Sequence, residues 1–108
     1  MNEVLTIHVE IVRMTPAVAE VILRADVEGE LRGRLMGPRC PHATTVEIAY
    51  PLKALPGREK NCSAKVIIPE PNFWEPDSPF VYGGPVELWQ DGEKTNEQWV
   101  EVGLRRSS

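Results

Sequence analysis

The chain has 108 residues, 42% of them hydrophobic and 26% charged, with a formal net charge of −4. That is enough chain for one self-contained core, and the acidic balance excludes the basic face that nucleic acid demands. No run of about 18 apolar, uncharged residues exists to cross a membrane as a helix.

The first ten residues, MNEVLTIHVE, place acidic side chains where a secretory leader needs a basic region and an apolar centre. The expected location is therefore the cytoplasm. Residues 1–13 alternate, with Leu5, Ile7, Val9 and Ile11 on one face, which predicts a first strand. Thr15-Pro16 punctuates it. Residues 17–27 alternate again, setting Ala19, Val21, Leu23, Ala25 and Val27 against Glu20, Arg24 and Asp26. Alanine and glutamate lend residues 16–24 some helical character, but strict alternation decides for a second strand.

Glu28-Gly29 predicts a turn into a third strand over residues 30–36, which Gly37-Pro38 is expected to end. Residues 40–43 read as loop, and the β-branched, alternating residues 44–50 as a fourth strand. Residues 51–61 form a polar loop turning at Pro56-Gly57. Residues 63–68, 80–89 and 97–106 supply the fifth, sixth and seventh strands. Seven short strands without a helix predict an all-β, seven-stranded immunoglobulin-like antiparallel sandwich, one domain over residues 1–108.

Cys40 and Cys62 are expected to be free thiols in that compartment. An immunoglobulin-type bridge would have a core tryptophan between them, and none lies there. With His42 they suggest zinc, but structural zinc needs four ligands in compact pairs, so no metal is expected.

Between the fifth and sixth strands, residues 69–79 combine Pro69, Pro71, Pro76 and Pro79 with Phe73 and Trp74. Proline lacks a donor and fixes φ, so this stretch is neither helix nor central strand. Its aromatics are too large to leave in water without reason. It reads as a rigid crossover pinned over the core by Trp74, in preference to a solvated proline-rich docking tail. The sixth strand carries a second irregularity, Gly83-Gly84-Pro85, which predicts a kink with the register resuming at Val86.

Pro71, Trp74, Pro76, Pro79 and Tyr82 stand in the pattern P-x-x-W-x-P-x-x-P-x-x-Y. It resembles the P-x-LW-x-P-x-x-P-x-LY segment of glycoside hydrolase family 2. The V-x-L strand that follows there is matched by Val86-Glu87-Leu88, and the closing VGFR by Val102-Gly103-Leu104-Arg105. The resemblance is tight over residues 66–105 and architectural before that. It implies the immunoglobulin-like sandwich that lies between the family's jelly-roll and its catalytic barrel. Trp74, Pro76, Pro79, Tyr82, Gly103 and Arg105 would then be its structural anchors. The departure is Gly83-Gly84-Pro85, where the family keeps ordinary strand residues.

No catalytic set emerges. Retaining glycosidases need two carboxyls roughly 5 Å apart, and the resemblance places the family's pair beyond the VGFR strand. Asn96-Glu97 looks like an acid/base dipeptide but falls in an expected polar hairpin loop without a barrel around it. Glu70, Glu75 and Asp77 flank Trp74 as solvated residues of the crossover. His8 and His42 do not build a Ser-His-Asp set, and no glycine loop is suited to phosphate or a cofactor.

Three functions follow. The first is a non-catalytic scaffold or interaction module. The second is a fragment of a family 2 glycosidase without its barrel, and the third a small carbohydrate binder. Met1 and the polar Arg-Arg-Ser-Ser end favour a complete short reading frame and so the first. If Val86 and Leu88 face inward, Trp89 points outward; if Val100, Val102 and Leu104 do, so does Trp99. A register pairing 89 with 99 across a loop of residues 90–98 would set both rings side by side. Such a pair would mark docking onto another domain or a second copy, ahead of packing under a loop or stacking on a sugar.

Overall fold

The computed structural model describes residues 5–41, 44–56 and 60–105. The strands in chain order are β1 (Ile7–Met14), β2 (Val18–Ala25), β3 (Glu30–Arg39), β4 (Ile48–Pro51), β5 (Lys53–Ala54), β6 (Cys62–Pro69), β7 (Trp74–Glu75), β8 (Ser78–Pro79), β9 (Val81–Gln90) and β10 (Glu93–Val102). Seven of them are the strands that periodicity predicts. The other three, β5, β7 and β8, are two-residue pieces, too short to leave a periodic signal.

Two antiparallel four-stranded sheets form, in the orders β1-β2-β6-β5 and β10-β9-β3-β4. This is an immunoglobulin-like β-sandwich. The chain changes sheet at Leu52, between β4 and β5, where the Leu52 N–H donates to the Gly33 carbonyl at 2.9 Å. Alternation fills the space between the sheets. Ala19, Val21, Leu23 and Ala25 of β2 meet Cys62, Ala64, Val66 and Ile68 of β6, while Leu31, Leu35, Val86, Leu88, Val100 and Val102 arrive from the second sheet. Each fully buried Val, Leu or Ile contributes roughly 1.5–3 kcal/mol. No polar or charged side chain is buried among the described residues, so the core is apolar throughout.

Several boundaries differ from expectation. β3 does not end at Gly37-Pro38 but runs through a cis peptide bond there to Arg39. A register shift between Met36 and Arg39 accommodates the proline. The fourth strand is shorter than expected, starting at Ile48, and His42 and the Gly57 half of the predicted turn lie outside the described residues. Asp91 and Gly92 alone separate β9 from β10. Both have positive φ, 50° and 80°, as the tightest hairpin turns require. The expected nine-residue loop is therefore strand.

The kink expected at Gly83-Gly84-Pro85 is absent. The β9–β10 register runs unbroken from Glu87↔Glu97 to Tyr82↔Val102. Instead a glycine on each strand, Gly33 of β3 opposite Val86 and Gly84 of β9 two residues further along, allows a close backbone approach. A Cβ on Gly84 would run into the Arg34 carbonyl oxygen, and one on Gly33 into the Pro85 carbonyl oxygen. Gly33 also sits at φ 133°, where a side chain is strained.

Candidate functional site

The crossover that leaves β6 is built as a small clasp. Pro71 is buried, and Tyr82, 1% exposed, accepts the Asn72 N–H on its hydroxyl at 2.9 Å. A tyrosine at the start of this strand that bonds back upstream is a recurrent device of such sandwiches. Burial pushes the Tyr82 phenol above its ordinary pKa, partly offset by the Asn72 bond, while nearby Tyr50 adds to the rise. Tyr50 meets Tyr82 edge to face, with centroids 6.1 Å apart.

Beyond Asn72 the chain makes a minimal hairpin, Trp74↔Pro79 and Glu75↔Ser78, with Pro76 at the turn position its fixed φ suits. The prolines keep this stretch from being a central strand. Yet Trp74 donates its N–H to the Leu104 carbonyl at 2.8 Å and forms a parallel bridge to Arg105. The half-buried Trp74 ring lies against Gly103, where a Cβ would come within 3.0 Å of the indole. The Arg105 guanidinium covers the ring at 4.1 Å, a favourable cation–π distance. The two motifs that lie far apart in sequence thus meet as one contact: glycine makes room, tryptophan fills it and arginine caps it.

The outer face of the sheet β10-β9-β3-β4 carries the other two tryptophans. Trp89 pairs in register with Lys94 and Trp99 with Pro85. They are not side by side. Four residues of β9 separate their levels, about 14 Å. The correction has one cause: the Asp91-Gly92 turn sets the hairpin axis, and the polar residues after it continue the strand. Each indole N–H donates to a carboxylate two residues along its own strand, Trp89 to Glu87 at 3.0 Å and Trp99 to Glu101 at 3.4 Å. An arginine stacks on each ring, Arg32 at 4.4 Å from Trp89 and Arg39 at 5.6 Å from Trp99. Glu47 anchors Arg39 at 2.8 Å and Glu30 anchors Arg32 at 2.9 Å. Trp99 remains 47% exposed and Trp89 half-buried. Sequence reading found both tryptophans but not the arginines, which come from a strand more than 50 positions away.

A family model described as Glycosyl hydrolases family 2 matches residues 7–105. The chain belongs to glycosyl hydrolase family 2. No curated protein matches it. The crossover clasp is what gives the family signature a physical meaning, since Trp74, Tyr82, Gly103 and Arg105 are all held in its contacts and Pro71 is buried beside them in sequence.

Family 2 chemistry directs attention to carboxylate pairs. Asn96-Glu97 lies in β10, not in a loop, and Glu97 stands directly opposite Glu87. Lys94 bridges the two, 3.2 Å from Glu97 and 3.7 Å from Glu87. The hydrogen bond that Lys94 donates to Glu97 raises its ammonium above the ordinary value, with smaller support from Glu87. This pair sits on an open sheet face, neutralised by a lysine, whereas acid/base work needs an enclosed carboxyl facing substrate. Glu75 and Asp77 of the crossover are exposed. Both cysteines are buried and free, and burial pushes the Cys62 thiol up despite a backbone bond from Ala25. Among the described residues no three His, Cys, Asp or Glu side chains gather to hold a metal.

Proposed function

We propose that this chain acts as a non-catalytic immunoglobulin-like module of family 2, a scaffold whose outer sheet face docks another folded domain. The observation that carries this is the pair of arginine-capped tryptophans on β9 and β10. Aromatic and arginine side chains are the residues that concentrate binding energy in protein interfaces. Here they stand on a rigid sheet, held by carboxylates that keep their rotamers fixed. The apolar core beneath needs neither ring for its own packing.

A sugar-binding platform is the weaker reading. Stacking on a sugar uses an open ring face, and in Trp89 that face is already covered by Arg32. Family membership supports one further reading, that this module serves a glycosidase whose carboxylates lie in a different part of that protein. The docking face then has a catalytic domain as its natural occupant.

The test changes Trp89 and Trp99 to serine and follows binding to candidate family 2 domains by calorimetry, beside titration of tryptophan emission with oligosaccharides. Docking predicts that the double variant loses binding while keeping its fold. Emission that responds to an oligosaccharide, with domain binding unchanged, would replace it by the carbohydrate reading.

A further inference from the structure

Four strands are edges of the two sheets, and three are protected against further pairing. β5 has two residues, one of them lysine, and β4 has four, the last proline. β10 is long but carries Glu93, Lys94, Glu97 and Glu101 in exposed positions. Short length, charge and proline are the devices that keep sheet edges from joining other chains. β1 differs. It is eight residues long, holds no proline or lysine, balances its two exposed charges, Glu10 and Arg13, about a bulge, and leaves Val9 41%, Ile11 38% and Val12 46% exposed. Val9 and Ile11 stand opposite the fully buried Leu23 and Val21, so they face inward, yet the second sheet does not cover them.

The β1 bulge gives this edge a symmetry. Glu10 pairs with Ile22 and Arg13 with Glu20, so the extra residue, Val12, puts Glu10 and Arg13 on the same outer face. Val9 and Met14 share the inner face, opposite Leu23 and Ala19. Without the bulge, strict alternation would send Glu10 and Arg13 to opposite faces. From Val9 to Met14 the strand therefore reads apolar, acid, apolar, apolar, base, apolar. Reversed, the pattern maps onto itself with acid and base exchanged. Neither Glu10 nor Arg13 takes part in an ion pair among the described residues.

We propose that β1 pairs antiparallel with β1 of a second copy about a two-fold axis between Ile11 and Val12, with Glu10 of each chain facing Arg13 of the other. Val9 then meets Met14, and Ile11 meets Val12, so each apolar side chain finds an apolar partner. Self-complementarity is what a two-fold interface requires, and an unrelated strand would have no reason to match this order. The pairing joins two four-stranded sheets into one of eight. One strand from each chain makes a small interface, so the dimer is concentration-dependent rather than obligate. It uses the sheet opposite the tryptophans, and either reading can fail without the other.

The experiment is sedimentation equilibrium of the full 108-residue chain over a wide concentration range, with circular dichroism to check folding. The wild type should show a reversible monomer–dimer equilibrium. Glu10→Arg alone and Arg13→Glu alone each place like charges opposite one another and should weaken the dimer at least roughly tenfold. The double exchange, Glu10→Arg with Arg13→Glu, should restore it. A wild type that stays monomeric throughout overturns the proposal and leaves the edge to another chain's strand. A dimer indifferent to the single changes, or one the double exchange fails to rescue, overturns it as well.

Discussion

At the scale of single residues, the clasp depends on one ring. Trp74 is half-buried, so truncation to alanine should cost about 2–3 kcal/mol, below the ~3–5 of a fully buried aromatic. Thermal or denaturant unfolding measures this, and a variant melting like the wild type would show that the ring anchors nothing. Gly103→Ala crowds the indole and should destabilise the wild type but have almost no effect once Trp74 is alanine. That coupling, read from a double-mutant cycle, separates a specific contact from a general intolerance of side chains. Tyr82→Phe strands the Asn72 N–H and should cost about 1 kcal/mol. Tyr82 and Cys62 both have folded pKa values above their ordinary 10.0 and 9.0. A raised folded pKa contributes stability that is complete below the ordinary value and lost as pH rises through the folded one. Stability should therefore start to fall near pH 9 and fall further above pH 10. Tyr82→Phe should remove the later part of that decline and leave the earlier part, as pH-dependent urea unfolding would reveal.

At the scale of elements, the decisive feature is the close β3–β9 pairing. Gly84→Ala drives a Cβ into the Arg34 backbone, and no side chain can move aside to relieve it. The cost should reach or exceed the ~3 kcal/mol upper range of ordinary overpacking. Gly92→Ala meets nothing within 4 Å and should cost only the ~1–2 kcal/mol of a strained turn; equal losses at the two sites would refute the close approach. These elements also show how much could be read in advance. The alternation in β2 and β6 was legible because one face of each is buried and the other wet. The β9–β10 register was not, because Glu93 to Asn96 are polar on both faces and resemble a loop. Asp91-Gly92 held the answer, since a two-residue turn dictates which residues oppose. Gly83-Gly84 signalled an irregularity correctly, but a close approach and a kink leave the same letters in the sequence. The arginine caps were beyond reach: which distant strand lies beside a tryptophan is decided by sheet order, and no local pattern encodes it.

At the scale of the whole molecule, the facing carboxylates Glu87 and Glu97 lie on an open sheet face with Lys94 between them. The chain should not hydrolyse aryl glycosides. Turnover that persisted through repeated purification and disappeared in a Glu87→Gln or Glu97→Gln variant would reverse that conclusion. The three tryptophans of the chain lie in three separate surroundings, one in the crossover clasp and two at different levels of an outer face. This arrangement makes the protein its own set of optical reporters. Variants retaining one indole each would resolve events that the full spectrum blends together. Emission from Trp74 alone would follow release of the crossover, and that from Trp89 or Trp99 would follow a partner arriving on the sheet. Local opening and docking could then be timed separately in one solution, without an attached dye.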